Sequence, residues 1–466
     1  MTRHFDLLIV GSGSGNSVIT PEMDSWSIGI VESGTFGGTC LNVGCIPTKM
    51  FAYPADVADT VNEAARYGID ATLDKVRWSD LRDRVFDRID PISAGGEAYR
   101  RRGSDAHNTA VLVGTVRFTG PLQMALTAPD GTVEQLNADR IVLANGSRPV
   151  VPPIPGLDPA LGPVVEFHTN DTVMRIDDVP RRPIVIGSGY IAAEFGHVFS
   201  AFGADVTVIG RSGALLRALD ETISARFTAH AREHWDLRLG VSAVAVTRDG
   251  DTYTVQLDDG SSVSGDLLLV AAGRIPNSDT LDAAAGGVGV REDGRIVADA
   301  QQRTDADGVW TLGDVSSPYQ LKHVANHEAR VVAHNLTHPD AMRDTDHRFV
   351  PAAVFTAPQL ASVGMTEAQA RESGLDFVVK VQAYGDVAYG WAMEDREGFV
   401  KLIAEKGTGT LLGAHLMGYQ ASTVIQPLIQ ALSLGPTDVR TMARGQYWIH
   451  PALAEVVENA LLGLDV

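Results

Sequence analysis

The stretch Phe5-Asp-Leu-Leu-Ile-Val-Gly-Ser-Gly-Ser-Gly-Asn16 joins a short apolar run directly to a glycine-rich turn, and it decides the fold. Such an apolar run is typical of a strand buried in a parallel sheet. Glycines after the strand let the backbone approach a pyrophosphate, which binds where the free N–H groups of a helix start point at it. The next apolar run, residues 28–31, is followed by Glu32, whose carboxylate can accept hydrogen bonds from a ribose. The pattern predicts a dinucleotide-binding unit.

The end of this turn departs from the usual G-x-G-x-x-G pattern. Asn16 stands at the third glycine position, and Pro21 shortens any helix that follows the turn. Glycine-rich turns also occur without a bound nucleotide, so this copy alone leaves both interpretations open.

The pattern returns about 175 residues later, in Arg182-Pro-Ile-Val-Ile-Gly-Ser-Gly-Tyr-Ile-Ala-Ala-Glu194. Two copies predict two nucleotide-binding domains and two different nucleotides. The second strand of this later unit, residues 205–209, is followed by Arg211 and Arg217 and carries no carboxylate at its end. Arginine there accommodates a 2′-phosphate, so the unit is expected to bind NADP(H), with a solvated basic loop as the alternative.

The only two cysteines of the 466 residues lie in Gly37-Gly-Thr-Cys-Leu-Asn-Val-Gly-Cys-Ile-Pro-Thr-Lys49. A disulfide across so short a loop adds little chain-entropy stabilisation and is easily reduced, which favours a redox centre over a structural staple. Two buried, inert thiols are the alternative. Two cysteines without a nearby histidine cluster do not complete a tetrahedral zinc site, so no metal is predicted.

Lys49 follows Cys45 by four residues, which places both side chains on one face if the segment is helical. Its ammonium would then support negative charge on a thiolate. A solvated lysine is the alternative interpretation.

Charge and composition limit the partners. The chain has 38 basic and 58 acidic residues, a net charge of -20, and no long basic block, so nucleic acid is not an expected partner. It shows neither a signal-peptide apolar region nor a run of about eighteen apolar residues, so a soluble, cytoplasmic protein without membrane contact is expected. In that reducing compartment a close cysteine pair is more often catalytic than structural.

Together these motifs resemble those of the flavoprotein disulfide reductases, the family of glutathione reductase and dihydrolipoamide dehydrogenase. The resemblance covers essentially the whole chain. It extends to four later motifs: Ala144-Asn-Gly-Ser-Arg-Pro149, Ala271-Ala-Gly-Arg-Ile-Pro-Asn277, Leu312-Gly-Asp314 and His450-Pro451. Within the family, the mycothione reductase branch is the most similar, on Tyr384-Gly-Asp-Val-Ala-Tyr-Gly-Trp-Ala-Met-Glu394 and Gly445-Gln-Tyr-Trp-Ile-His-Pro-Ala-Leu453.

The resemblance implies an α/β fold with two Rossmann-like domains and a C-terminal α+β interface domain. It implies an FAD domain over residues 1–147, an NADPH domain over 148–271, a central segment over 272–345 that completes the FAD domain, and an interface domain over 346–466. The prolines of residues 147–156 mark the first linker, because they cannot continue a helix or a central strand.

The resemblance also implies the residues that contact each cofactor. Tyr190 is expected to act as a lid over the flavin, and an ordinary aromatic residue at a helix start is the alternative. For FAD the residues are Gly11, Ser12, Gly13, Gly15, Asn16, Glu32, Thr39, Lys49, Gly114, Val116, Ala144, Asn145, Gly146, Asp314, Lys322 and His323. For NADPH they are Gly187, Gly189, Tyr190, Ile191, Glu194, Arg211, Arg217, Gly273 and Arg274.

A hydride donor and a disulfide both exchange two electrons, and a flavin between them connects the two. The resemblance assigns Cys45 to the flavin side and Cys40 to the attack on the substrate disulfide, with Glu194 as the partner of Lys49. It assigns proton transfer to His450, oriented by Glu455, both from the neighbouring subunit of a homodimer.

The expected reaction is the NADPH-dependent reduction of a low-molecular-weight disulfide, mycothione to mycothiol. Dihydrolipoamide dehydrogenase or another reductase of the family is the alternative enzyme. A flavin-binding sensor without turnover is the alternative from a different class.

Overall fold

The computed structural model describes residues 2–102 and 108–466. The elements up to residue 149 are β1 (Thr2–Phe5), β2 (Leu7–Val10), β3 (Ile28–Glu32), α1 (Gly38–Asn42), α2 (Cys45–Asn62), α3 (Trp78–Arg102), β4 (Thr109–Val113), β5 (Thr115–Gly120), β6 (Gln123–Thr127), β7 (Val133–Ala138), β8 (Ile141–Leu143) and β9 (Ser147–Pro149). Those of the middle part are β10 (Pro183–Ile186), α4 (Tyr190–Ala201), β11 (Thr207–Gly210), α5 (Glu221–His234), β12 (Asp236–Leu239), β13 (Ala243–Asp249), β14 (Thr252–Leu257), β15 (Ser262–Gly265), β16 (Leu267–Val270), β17 (Arg274–Pro276), β18 (Val309–Thr311) and α6 (Lys322–Thr337). The last part has β19 (Ala352–Val354), β20 (Gln359–Gly364), α7 (Glu367–Glu372), β21 (Phe377–Ala383), α8 (Ala388–Ala392), β22 (Phe399–Glu405), β23 (Leu411–Gly418), α9 (Ala421–Val424), α10 (Gln426–Leu434), α11 (Val439–Arg444) and α12 (Ala454–Leu462).

The first apolar run forms β2, in the centre of a parallel sheet with the order β18-β8-β2-β3-β4. Its side chains are buried on both faces. Leu7 and Ile9 pack toward α6, whereas Leu8 and Val10 pack toward the mainly antiparallel sheet β1-β7-β6-β5. Burial on both faces explains why β2 is continuously apolar instead of alternating.

The second copy forms another parallel sheet, with the order β12-β11-β10-β16. An antiparallel sheet of β13, β14 and β15 covers one face of it, and α4 and α5 pack against the other. The α/β fold class with two Rossmann-like units is thereby confirmed.

The segment between residues 272 and 345 contributes β18, which pairs with β8 at the edge of the first sheet. The last part of the chain forms an antiparallel sheet, β19-β20-β23-β22-β21, covered by α10, α11 and α12. This layer corresponds to the predicted α+β domain.

The first glycine turn is followed by two short 3₁₀ helices, Ser14–Val18 and Pro21–Met23, where a regular Rossmann unit has an α-helix. Pro21 begins the second of them, which agrees with the predicted shortening. The Arg100 side chain on α3 holds this segment, with Nε 2.8 Å from Asn16 Oδ1 and Nη2 3.0 Å from the Asn16 carbonyl oxygen.

Within the described ranges, no helix is both long enough and apolar enough to cross a membrane. The same ranges contain no group of three or more His, Cys, Asp or Glu side chains placed to hold a metal ion.

Candidate active site

A cavity of about 2030 Å³ opens along the carboxyl ends of both parallel sheets. In the first sheet, the residue that follows each strand lines it: Gly11, Ser33, Gly114, Ala144 and Leu312. In the second sheet, Gly187, Arg211 and Ala271 do the same after β10, β11 and β16. Ligand pockets for one small molecule usually enclose about 300–1,000 Å³, so this cavity has room for two nucleotides.

Both glycine turns require glycine for a geometric reason. Gly11 has a φ of 100° and Gly187 a φ of 141°, in the region that side chains other than glycine rarely adopt. A Cβ at Gly11 would also collide with the carbonyl of Ala144, and one at Gly187 would collide with that of Ala271. Each turn therefore lets the chain pass directly over the end of the neighbouring strand and leaves the cavity open.

The Glu32 carboxylate lies at the end of β3 and is held by the first glycine turn. Its Oε2 accepts hydrogen bonds from the N–H and the hydroxyl of Ser12, at 3.0 and 2.6 Å. Its Oε1 accepts a hydrogen bond from the N–H of Gly34 at 2.9 Å. The carboxylate therefore has a fixed position at the cavity wall, where the sequence predicts a ribose.

Gly15 and Asn16 differ from the other predicted contacts because neither lines the cavity in the described structure. A Cβ at Gly15 would lie only 2.8 Å from the Cβ of Ala144, so this glycine is needed for packing. Asn16 is turned toward Arg100. Both residues therefore stabilise the turn without lining the cavity.

Nearly all the remaining predicted residues line this one cavity. On the side of the first sheet they are Gly11, Ser12, Gly13, Glu32, Thr39, Gly114, Val116, Ala144, Asn145, Gly146, Asp314, Lys322 and His323. On the side of the second sheet and between the two they are Cys40, Cys45, Lys49, Gly187, Gly189, Tyr190, Ile191, Glu194, Arg211, Arg217, Gly273 and Arg274.

Cys40 lies in α1, and Cys45 is the first residue of α2. Both are free thiols in this structure, which is the reduced form of the predicted pair. The Cys40 thiol donates a hydrogen bond to the Cys45 sulphur, and this bond together with the nearby Lys49 charge lowers the pKa of Cys45 to about 7. The same hydrogen bond and burial raise the pKa of Cys40. The two sulphurs therefore differ chemically, and Cys45 is the thiolate near neutral pH.

Lys49 and Glu194 form an ion pair between α2 and α4. The Lys49 Nζ lies 2.6 and 2.8 Å from the two carboxylate oxygens of Glu194, whose side chain is only 5% exposed. The N–H of Phe355 donates a second hydrogen bond to Glu194 at 3.0 Å, and the Lys49 Nζ lies 4.7 Å from the centre of the Phe355 ring. This arrangement meets the requirement that a buried carboxylate be paired and hydrogen-bonded.

Replacing Lys49 with methionine is expected to raise the pKa of Cys45 by about one pH unit, because an opposite charge nearby favours the thiolate. Below its pKa the residue is a thiol and unreactive, so the pH midpoint of its alkylation by iodoacetamide should move upward. Mass spectrometry resolves alkylation at Cys45 from that at Cys40. The exposed Lys406 is a matched control, and Lys406→Met should leave the midpoint near pH 7. Equal midpoints in both variants would contradict this role of Lys49.

Arg274 and Asp314 meet at Ser147, where the two nucleotide units join. The Ser147 hydroxyl donates to Asp314 Oδ2 at 2.7 Å and accepts from Arg274 Nε at 2.8 Å. Arg274 also donates to Asn170 Oδ1 at 3.0 Å, and Asn170 donates to the carbonyl of Val43, in the cysteine segment, at 3.0 Å. The network fixes the cysteine loop relative to both sheets.

Lys322 begins α6 at the cavity, and its Nζ lies 2.9 Å from the Ser14 hydroxyl of the first glycine turn. A cation and a helix N-terminus at this place favour negative charge on a ligand. The neighbouring His323 donates from Nε2 to the carbonyl oxygen of Pro351 at 2.8 Å, so Nε2 carries a proton.

Arg211 and Arg217 are both exposed at the cavity wall beyond β11. Tyr190 stands at the first position of α4, and its ring is 43% exposed. The structure therefore leaves two guanidinium groups available to a ligand phosphate, and the Tyr190 side chain lines the same cavity.

His450 and Glu455 are paired, but they lie outside the cavity of their own chain in the described part. The His450 Nδ1 is 2.6 Å from Glu455 Oε1, and the N–H of Ala452 donates to Glu455 Oε2 at 3.2 Å. The hydrogen bond from His450 lowers the pKa of Glu455. The imidazole is 71% exposed, so a group outside this chain can reach it.

The residues that sequence reasoning missed are Phe355, Asn170 and Arg100. Each acts on the site from a segment without a motif of its own, and no local pattern singles it out. Ser147 lies inside the Ala144–Pro149 motif, whose sequence marks the place but not the two hydrogen bonds it makes.

Two family profiles match the chain. The pyridine nucleotide-disulphide oxidoreductase profile matches residues 5–329, and the profile of the dimerisation domain of these oxidoreductases matches residues 350–461. Mycothione reductase of Mycobacterium tuberculosis is 56% identical over 466 residues and is covered to 99%, as is this chain. Glutathione reductase of Burkholderia cepacia is 31% identical over 457 residues, with 97% of each chain covered.

A solved structure extends the likeness to the whole fold. The HOCl-induced flavoprotein disulfide reductase RclA from Escherichia coli has a TM-score of 0.85 at 25% identity. The match covers 98% of this chain and 99% of that one.

Proposed function

This chain belongs to the pyridine nucleotide-disulphide oxidoreductases, and from that premise we propose that the disulfide it reduces is mycothione. The enzyme is an NADPH- and FAD-dependent disulfide reductase, and its C-terminal part is a dimerisation domain that makes it a homodimer. The observation that carries the choice of substrate is the 56% identity to mycothione reductase over the full length.

The first half of the cavity fits FAD. Asn145 Oδ1 is buried at the wall without a hydrogen-bond partner among the described residues, and a ligand donor would satisfy it. A Cβ at Gly38 would lie 2.7 Å from the Cα of Gly13, so the two backbones meet without side chains where the pyrophosphate is expected. Glu32 would bind the ribose, and Asp314 the ribityl chain.

The second half fits NADPH. Gly187 and Gly189 would hold its pyrophosphate, and Arg211 and Arg217 its 2′-phosphate. FAD, when bound, carries the two electrons of a hydride from NADPH to the cysteine pair.

The cysteines carry those electrons to the substrate in two exchanges. The Cys40 sulphur, after losing its proton, attacks one sulphur of the substrate disulfide, forms a mixed disulfide and releases the first thiol. The Cys45 thiolate then attacks Cys40, which releases the second thiol and leaves the Cys40–Cys45 disulfide. One disulfide is consumed and one is formed, so the two electrons end on the two product thiols.

His450 of the partner subunit is the group that transfers the proton. Because Cys40 has a raised pKa, its proton needs an acceptor before attack, and the departing thiol needs a donor afterwards. Glu455 accepts from His450 Nδ1, which leaves Nε2 free to take the proton of Cys40 and then give it to the leaving sulphur.

A substrate panel tests the proposal. With NADPH, mycothione should be reduced with a kcat/KM at least about a hundredfold higher than glutathione disulfide or lipoamide, because a site built for one substrate leaves polar groups unpaired with the others. Initial rates of NADPH oxidation measure this directly. A higher kcat/KM for lipoamide with NADH would show that dihydrolipoamide dehydrogenase is the correct assignment.

The double variant Arg211→Gln, Arg217→Gln tests whether these two arginines select NADPH over NADH. It should raise KM for NADPH about tenfold or more and leave KM for NADH nearly unchanged, because only NADPH carries the 2′-phosphate. A flavoprotein whose absorbance NADPH never bleaches would instead be a sensor without turnover.

A further inference from the structure

α2 and α4 lie side by side and both begin at the cavity, with Cys45 and Tyr190 respectively. Along α2, Lys49, Asp56 and Asp59 follow Cys45 at spacings of 4, 11 and 14 residues, which keeps all four on one helical face. On α4, Glu194 and His197 follow Tyr190 at spacings of 4 and 7 residues. The two faces meet, first in the Lys49–Glu194 pair at the cavity.

A second link between these faces lies further along both helices. The His197 side chain is only 4% exposed, with Nε2 2.9 Å from Asp56 Oδ1 and Nδ1 3.4 Å from Asp59 Oδ2. Nε2 is hydrogen-bonded to Asp56, and Asp59 lies beside the other ring nitrogen. One side chain of α4 therefore holds two successive turns of α2.

We propose that His197 is a positioning residue, which fixes the rotation and axial position of α2 on α4 and thereby holds Lys49 beside the Cys45 thiolate. The proposal rests on the proposed function in that it assigns the reactive thiolate to Cys45. It adds a residue that does not line the cavity in the described structure.

α2 belongs to the first nucleotide unit and α4 to the second, so no common sheet holds the two helices in register. Their apolar faces share one core, which includes Phe51 and Phe195. The Lys49–Glu194 pair adds a specific polar link at the cavity end, and His197 adds another further along. Asp56 lies seven residues beyond Lys49, about 10 Å along the helix, so the two links together define the axis.

Other charged groups surround the link. The charges of Glu63, next to the end of α2, and of His230 on α5 also act on Asp59. Burial has the largest effect and raises the pKa of Asp59 to about 6. His230 is itself bound to Glu397 of the C-terminal domain, with Nδ1 2.7 Å from Glu397 Oε2. Asp59 is therefore mostly ionised at neutral pH.

The test compares His197→Leu with His230→Leu in the full-length holoenzyme. Both remove a histidine that lies beside a carboxylate and is at most 17% exposed, but only the first cuts the link between α2 and α4. His197→Leu should lower kcat roughly tenfold to a hundredfold, as misplacement by about 1 Å does, and raise the pH midpoint of Cys45 alkylation. KM for NADPH should change less than about twofold, because the phosphate contacts of the second unit are untouched.

A conservative variant makes the test independent of folding. His197→Gln keeps an N–H toward Asp56 and should recover most of kcat and a midpoint near that of the unsubstituted enzyme. The proposal is wrong if His197→Leu folds, binds FAD and keeps both kcat and midpoint. It is also wrong if His230→Leu shows the same changes, since these would then follow from lost stability. Failure of the unsubstituted enzyme to reduce any disulfide would instead refute the proposed function.

Discussion

Replacing Cys45 with serine is expected to lower NADPH-dependent disulfide reduction by at least about 10⁴-fold, because the enzyme loses the group that accepts the electrons and resolves the mixed disulfide. The same variant should lose the long-wavelength charge-transfer absorbance that two-electron reduction produces when a thiolate lies against the flavin. The rate of NADPH oxidation measures disulfide reduction, and stopped-flow absorbance during reduction by NADPH measures the charge-transfer band. FAD should still be bound and bleached, because the nucleotide contacts do not involve Cys45.

Cys40→Ser is the matched control, and it separates the roles of the two sulphurs. It should abolish turnover to a similar degree, yet keep the charge-transfer absorbance, since the Cys45 thiolate and Lys49 remain in place. Charge-transfer absorbance that survives in Cys45→Ser and disappears in Cys40→Ser would mean that the sulphurs have been assigned the wrong way round.

Replacing His450 with alanine is expected to lower kcat by about 10²–10⁴-fold, the usual contribution of a general acid–base group. A stronger test uses mixed dimers, in which the two subunits carry different substitutions. A dimer of one Cys45→Ser subunit and one His450→Ala subunit contains one site with both defects and one with neither, if each histidine serves the neighbouring subunit. It should then show about half the activity of the unsubstituted dimer.

Differently tagged subunits, purified through both tags in turn, provide these mixed dimers. The opposite arrangement, in which His450 serves its own chain, leaves one defect in each site and predicts no activity beyond that of the two parents. The cavity of a single chain does not include His450 among the described residues, so recovery is the outcome that the structure supports.

The parts of the fold that the sequence predicts best are those that depend on short stretches of chain. Gly11 and Gly187 must be glycine because of their own backbone angles and the carbonyl directly opposite, so their role is visible locally. Cys45 and Lys49 are likewise only one turn of α2 apart. In contrast, the pairing of Lys49 with Glu194 spans 145 residues, and only the family resemblance predicts it.

The remaining contacts depend on how distant segments pack. Phe355 supports Glu194 from a loop of the C-terminal part, and His197 reaches α2 from another nucleotide unit. Asn16 is a departure from the glycine pattern that the sequence leaves unexplained. The structure explains it, because Arg100 on α3 binds its side chain and holds the short 3₁₀ segment in place of a longer helix.

The position of β18 has a consequence for how the protein is made. Thr311 in β18 donates its hydroxyl to the carbonyl of Leu143, which lies 168 residues earlier in the chain. During synthesis, the first sheet therefore stays open at one edge while the whole second nucleotide unit leaves the ribosome. That unit holds its own sheet within residues 183–270 and can form before the first is closed. The second unit can therefore complete its sheet before the first, whose edge strand β18 is made after it.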